Sequence, residues 1–130
     1  QAGVPLDDLL TSSLERLPDG AVILRLSGEI DLSSANSLIK RLTEISDEPP
    51  SDLIIDATDV GFMDSSGVHA LIVGKGLVHA KNCRITLVVS EPVRRVLELT
   101  YPDHQFATRV ESLAEAMELV REKPADVGQG

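Results

Sequence analysis

Apolar positions change their spacing several times along the chain, and those changes outline its elements. Leu9 to Leu17 predicts a first strand and Ala21-Val22-Ile23-Leu24-Arg25-Leu26 a second, largely buried one, separated by Pro18-Asp19-Gly20. Proline presets its own dihedral there and glycine accepts positive φ, so an antiparallel hairpin is expected. After Gly28-Glu29-Ile30-Asp31, the residues Ala35, Leu38, Ile39, Leu42 and Ile45 recur at helical spacing, with Ser33 or Ser34 as the expected N-cap. Pro49-Pro50 stops that helix because consecutive prolines cannot continue its hydrogen bonding. Leu53-Ile54-Ile55-Asp56-Ala57 is a short run rich in β-branched residues, the pattern of an interior strand.

Across Val60-Gly61-Phe62-Met63-Asp64-Ser65-Ser66-Gly67-Val68 the period changes from about two to about 3.6 residues. Ala70, Leu71, Gly74, Leu77 and Val78 then follow one helix face to about Lys81, and Gly74 and Gly76 are expected to let this helix approach the sheet. Arg84 to Val89 predicts a further strand, and Ser90-Glu91-Pro92 opens a short helix whose buried stripe is Val93, Val96 and Leu97. Tyr101-Pro102-Asp103 breaks it, Gln105 to Val110 can supply a last edge strand, and Ser112-Leu113-Ala114-Glu115 reads as a capping box for a final helix. A hairpin followed by strands alternating with helices predicts an α/β fold: one domain over 9–122, with a mixed sheet and about four helices. Residues 1–8 and 123–130 are expected to be a flexible N-terminus and a flexible tail.

Composition narrows what such a domain does. Among 130 residues 42% are hydrophobic but only 2% aromatic, so the core must be built from Leu, Ile, Val and Ala. With 21 acidic against 12 basic residues the net charge is -9, and no cluster of Lys and Arg exceeds a pair, which argues against direct nucleic-acid binding. The single cysteine, Cys83, excludes an internal disulfide; it is read as a small buried hydrophobe or, alternatively, a redox-sensitive thiol. No run of eighteen apolar residues and no signal-peptide pattern occur, so no membrane span is expected and the expected location is cytoplasmic.

Several chemistries fail on spacing. Gly74-Lys75-Gly76 lacks both the upstream glycine and the hydroxyl residue of a P-loop, and Met63 and Asp64 stand where a nucleophile elbow needs glycine. His69, four residues beyond Ser65, superficially suggests a Ser-His pair for a small hydrolase, but no oxyanion site accompanies it. His69, His79 and His104 form no metal-ligand pattern. Asp64-Ser65-Ser66 has two readings: an ordinary N-cap, or a serine held where helix N–H groups and the macrodipole favour a phosphate.

The same segment, Val60 to Val68, resembles the phosphorylation loop of the anti-sigma factor antagonists, single-domain members of the STAS superfamily. Leu26-Ser27-Gly28-Glu29-Ile30-Asp31 and Ser90-Glu91-Pro92-Val93-Arg94-Arg95-Val96-Leu97 match the family pattern in the same order, over roughly residues 20 to 120. The resemblance implies a STAS-like fold and a regulatory binding module, not an enzyme, without a cofactor or metal. Its partners would be an anti-sigma factor that is a serine kinase and a phosphatase acting on the phosphoserine. Ser65 maps to the phosphorylated residue, and Asp31 and Asp64 to the flanking acids, each with helix capping as its alternative reading. The implied partner surface is Asp31, Asp64, Ser65, Ser66, Gly67, Val68 and Ile72; Val68, Ile72 and Val73 lie off the helix's apolar face, so some of them are expected to be exposed for docking, the alternative being burial by the sheet and a neighbouring helix. The alternative within the superfamily is a subunit of a stress-signalling scaffold or a lipid-transport complex.

Overall fold

The structure, a computed structural model, describes residues 4–5, 9–100 and 108–121. Its strands are β1 (Val4–Pro5), β2 (Leu10–Arg16), β3 (Val22–Ile30), β4 (Asp52–Met63), β5 (Arg84–Val88) and β6 (Thr108–Val110). The helices are α1 (Leu32–Asp47), α2 (Ser65–His79), α3 (Glu91–Thr100) and α4 (Leu113–Arg121). Spatial order follows sequence order, β1-β2-β3-β4-β5-β6. The first two pairings are antiparallel and the remaining three parallel, so the expected mixed sheet with an N-terminal hairpin is present.

Alternation along the strands assigns side chains to two layers. Val22, Leu24 and Leu26 of β3, with Leu53, Ile55 and Ala57 of β4, join Leu38, Leu42, Leu71, Val93 and Leu97 of α1, α2 and α3 in one large apolar cluster. Ala21, Ile23, Ile54, Val88 and Val110 face the other way and pack with Ala116 and Val120 of α4. Each parallel connection places its helix start at the same edge of the sheet, beyond the C-terminal ends of β3, β4 and β5.

Several local expectations change. Val4–Pro5 pair with Ser12 and Thr11 as a two-residue edge strand, although this segment reads as a loose terminus. The rest of 1–8, the break at Tyr101-Pro102-Asp103, the first part of the Gln105 strand and the tail 123–130 lie outside the described residues. β3 and β4 both run past their predicted ends, with register shifts between Arg25 and Ser27 and between Gly28 and Glu29. Gly28 makes this possible: its φ is +119°, and a Cβ there would collide with the carbonyl oxygen of Leu9. Gly74 does permit a close approach, but to Leu42 of α1 and not to the sheet, while Gly76 faces open space. At α4 Ser112 Oγ accepts from Glu115 N at 3.1 Å, whereas the Glu115 carboxylate reaches Glu111 N at 3.0 Å, one residue outside the standard box.

Candidate functional site: paired helix starts at one sheet edge

Ile30 and Met63 are opposite each other at the ends of β3 and β4, so the residues that follow, Asp31 and Asp64, leave the sheet side by side. Both have extended backbone and both cap a helix, Asp31 that of α1 and Asp64 that of α2. Asp64 N donates to Ile30 O at 3.2 Å, which ties the two turns together through the main chain. A third helix start is anchored nearby, since Ser90 Oγ donates to Val60 O at 2.7 Å and accepts from Val93 N at 3.4 Å.

The N-cap of α1 is thus Asp31, not Ser33 or Ser34. Asp31 Oδ1 accepts from Ser33 N at 2.9 Å, Ser33 Oγ at 2.7 Å and Ser34 N at 3.2 Å. Ser34 is fully buried and completes a reciprocal box: its Oγ accepts from Asp31 N at 3.0 Å and donates to Glu29 O at 2.9 Å. The Ser33 hydroxyl, helped by the N–H groups of Ser34 and Ser33 and opposed by partial desolvation, holds the Asp31 carboxyl below its ordinary value.

At α2 the cap is sparser. Asp64 Oδ1 accepts from Ser66 N at 2.8 Å. Ser65, the first helical residue, is exposed, and among the described residues no hydrogen bond engages its hydroxyl. Ser66 is partly buried. Gly67 is buried where α2 crosses the strand ends: a Cβ would lie 2.8 Å from Met63 Sδ and 2.9 Å from Ile30 Cγ2. Val68 is only 4% exposed, whereas Ile72 and Val73 are half-buried, so of the three residues considered for docking Val68 is inside and the other two offer part of their surface. The cause is that α2 lies between α1, α3 and the sheet and is apolar on most of its circumference.

Two apolar residues missed by sequence reasoning flank this edge. Leu32, directly after Asp31, is 74% exposed, and Phe62, two residues before Asp64, is 46% exposed. The signal was available for Leu32, which precedes the periodic apolar positions of α1 and belongs to none of them. Cys83 is far from this edge. Burial, reinforced by the charge of Asp52, pushes its thiol up to about 11, so the thiolate that oxidation requires is scarce at neutral pH and the residue serves as packing. Among the described residues no helix is long and apolar enough to cross a membrane.

Over residues 15–116 the sequence matches the STAS domain family. The chain belongs to that family. The STAS fold is shared with an anti-sigma factor antagonist from Mycobacterium paratuberculosis, 24% identical, with a TM-score of 0.74 over 92% of this chain and 99% of that one. It is also shared with the anti-sigma factor antagonist SpoIIAA in its unphosphorylated form, 22% identical, TM-score 0.65, covering 85% of this chain and 97% of that one. The phosphorylated form of SpoIIAA, a Bacillus cell fate determinant, gives 23% identity and a TM-score of 0.63 over 85% and 99%. In this STAS domain Asp31, Asp64 and Ser65 lie at one edge, while Cys83 is remote from it.

Proposed function

We propose that this STAS domain is an anti-sigma factor antagonist. Unphosphorylated, it binds an anti-sigma factor that is itself a serine kinase, so that a sigma factor is released; phosphorylation of Ser65 ends the interaction and a phosphatase restores it. The domain catalyses nothing in this scheme, and the setting is the cytoplasm. The observation that carries the reading is the exposed, unengaged hydroxyl of Ser65 at the first position of α2, directly after Asp64 and at the sheet edge that Asp31 shares. Structural relatives that are anti-sigma factor antagonists, one of them in a phosphorylated form, support it. Asp31, Asp64, Ser65, Ser66 and the exposed part of Ile72 form the partner surface; Gly67 and Val68 contribute by holding α2 against the strand ends.

The physical basis of the switch is local charge. A phosphoserine brings about -1.5 to -2 charges at pH 7. On the free domain that charge is tolerated, because it meets the positive end of the α2 dipole in water. At an interface it must be desolvated beside Asp64 and Asp31, where like-charge juxtaposition costs several kcal/mol. A loss of about 2.7 kcal/mol is already a hundredfold in affinity. The test is to capture the anti-sigma factor with the unmodified domain, phosphorylate the domain enzymatically, map the site to Ser65, and compare melting temperature and affinity. We expect an unchanged melting temperature and at least a hundredfold weaker complex; equal affinities refute the switch, and a collapsed melting temperature relocates the effect to unfolding.

A further inference from the structure

The proposed function gives His69 no role, yet its placement relative to Ser65 is specific. Both residues are exposed on α2 and four apart, so they stand one above the other on the same helix face, roughly 5 to 6 Å between Cβ atoms. Among the described residues, the acids that the fold brings to the edge where Ser65 stands include Asp64 and Asp31, the caps of α2 and α1. Cations on the packed elements are further along or committed. Lys75 begins about 15 Å down α2 from Ser65, and Lys40 lies about 12 Å along α1 from Leu32. On α3, Arg94 is paired with Glu91 at 2.6 Å and Glu98 at 3.0 Å, and Arg95 with Glu91 at 3.4 Å.

We propose that His69 is the built-in cation for phosphorylated Ser65: the imidazolium, one turn into α2, pairs with the phosphate on the exposed face. The proposal rests on the reading of Ser65 as the modified residue. An anion N-terminal to a cation at this spacing is the favourable order on a helix, since each charge also faces the dipole end that suits it. A phosphoserine loses its second proton near pH 6, so its charge is still changing as the pH approaches neutrality. His69 thereby offsets part of the repulsion from Asp64 and Asp31.

The test needs no partner protein. Phosphoserine is placed at position 65 during translation, and its second ionisation is followed by phosphorus NMR in the parent, His69→Gln, His69→Lys and His79→Gln proteins. Because the coupling is reciprocal, the imidazolium must draw the phosphate midpoint down. We expect the midpoint to rise by about half a pH unit in His69→Gln, to return in His69→Lys, and to stay at the parent value in His79→Gln, whose site is about 21 Å from Ser65 along the helix. Asp64→Asn, which removes a negative neighbour, should lower the midpoint and shows that the measurement responds to local charge. Equal midpoints in the parent and His69→Gln proteins, with Asp64→Asn still shifted, overturn the proposal. Affinity for the anti-sigma factor does not enter this readout, so the pair can fail while the switch stands, and the reverse.

Discussion

The starts of α1 and α2 use the same residue type at the same edge and come out differently. At Asp31 the carboxylate, two serine hydroxyls and the main chain close on one another, with Ser34 buried beneath. At Asp64 a single N–H bond from Ser66 is made and the next hydroxyl is left outside. One start is saturated; the other leaves a hydroxyl exposed and unengaged. Position at a helix N-terminus is common to both, so what separates the two starts is whether the neighbouring hydroxyls are already engaged.

The largest change should come from removing what brings the two starts together. Gly28→Ala places a Cβ on the Leu9 carbonyl at positive φ and should cost about 3 kcal/mol in urea unfolding, moving the Asp31 turn with it. Gly67→Ala meets the more yielding Met63 side chain and should cost about 2 kcal/mol, with the disturbance centred on α2. Next come the caps themselves. Asp64→Ala should cost about 1 kcal/mol, and Asp31→Ala measurably more than Asp64→Ala, since it leaves Ser33 and Ser34 without their shared acceptor. Equal losses would remove the distinction between a closed and an open start.

Acid sharpens the same contrast. Because the Asp31 carboxyl is held below its ordinary value of 3.8, its contribution is fully present above that pH and is lost as pH falls through the lower folded value. The stability gap between the parent and Asp31→Asn proteins should therefore narrow only below pH 3.8 in denaturant titrations run across the acid range. The smallest effect belongs to Ser65→Ala, which should change stability by no more than about 0.5 kcal/mol, as befits an exposed hydroxyl without a partner.

Much of this arrangement is legible in the amino-acid sequence. The helical spacing of Leu38, Leu42 and Ile45 and the β-branched run at Leu53–Ile55 define α1 and the middle of β4, and once the strands are parallel the two Asp residues must meet at one edge. The extension of β4 is hidden because Thr58, Asp59 and Gly61 are exposed and polar or small, and the register shifts break the alternation that would mark a strand. The α1 cap is misassigned for a related reason: Leu32 is apolar but exposed, so it reads as lying before the helix when it is its first residue. Val68 deceives in the opposite direction. A helix wedged between two others and a sheet has no clean polar face, and periodicity alone cannot say which apolar residue stays outside.

The ends of the sheet bear on how the molecule meets other chains. A long open strand recruits strands from other molecules, and unplanned recruitment of that kind is the route to aggregation. Here the outermost strands are two and three residues long, and Pro5 in the first offers no main-chain donor. Among the described residues, these two strands themselves present little backbone for a neighbouring molecule to pair with.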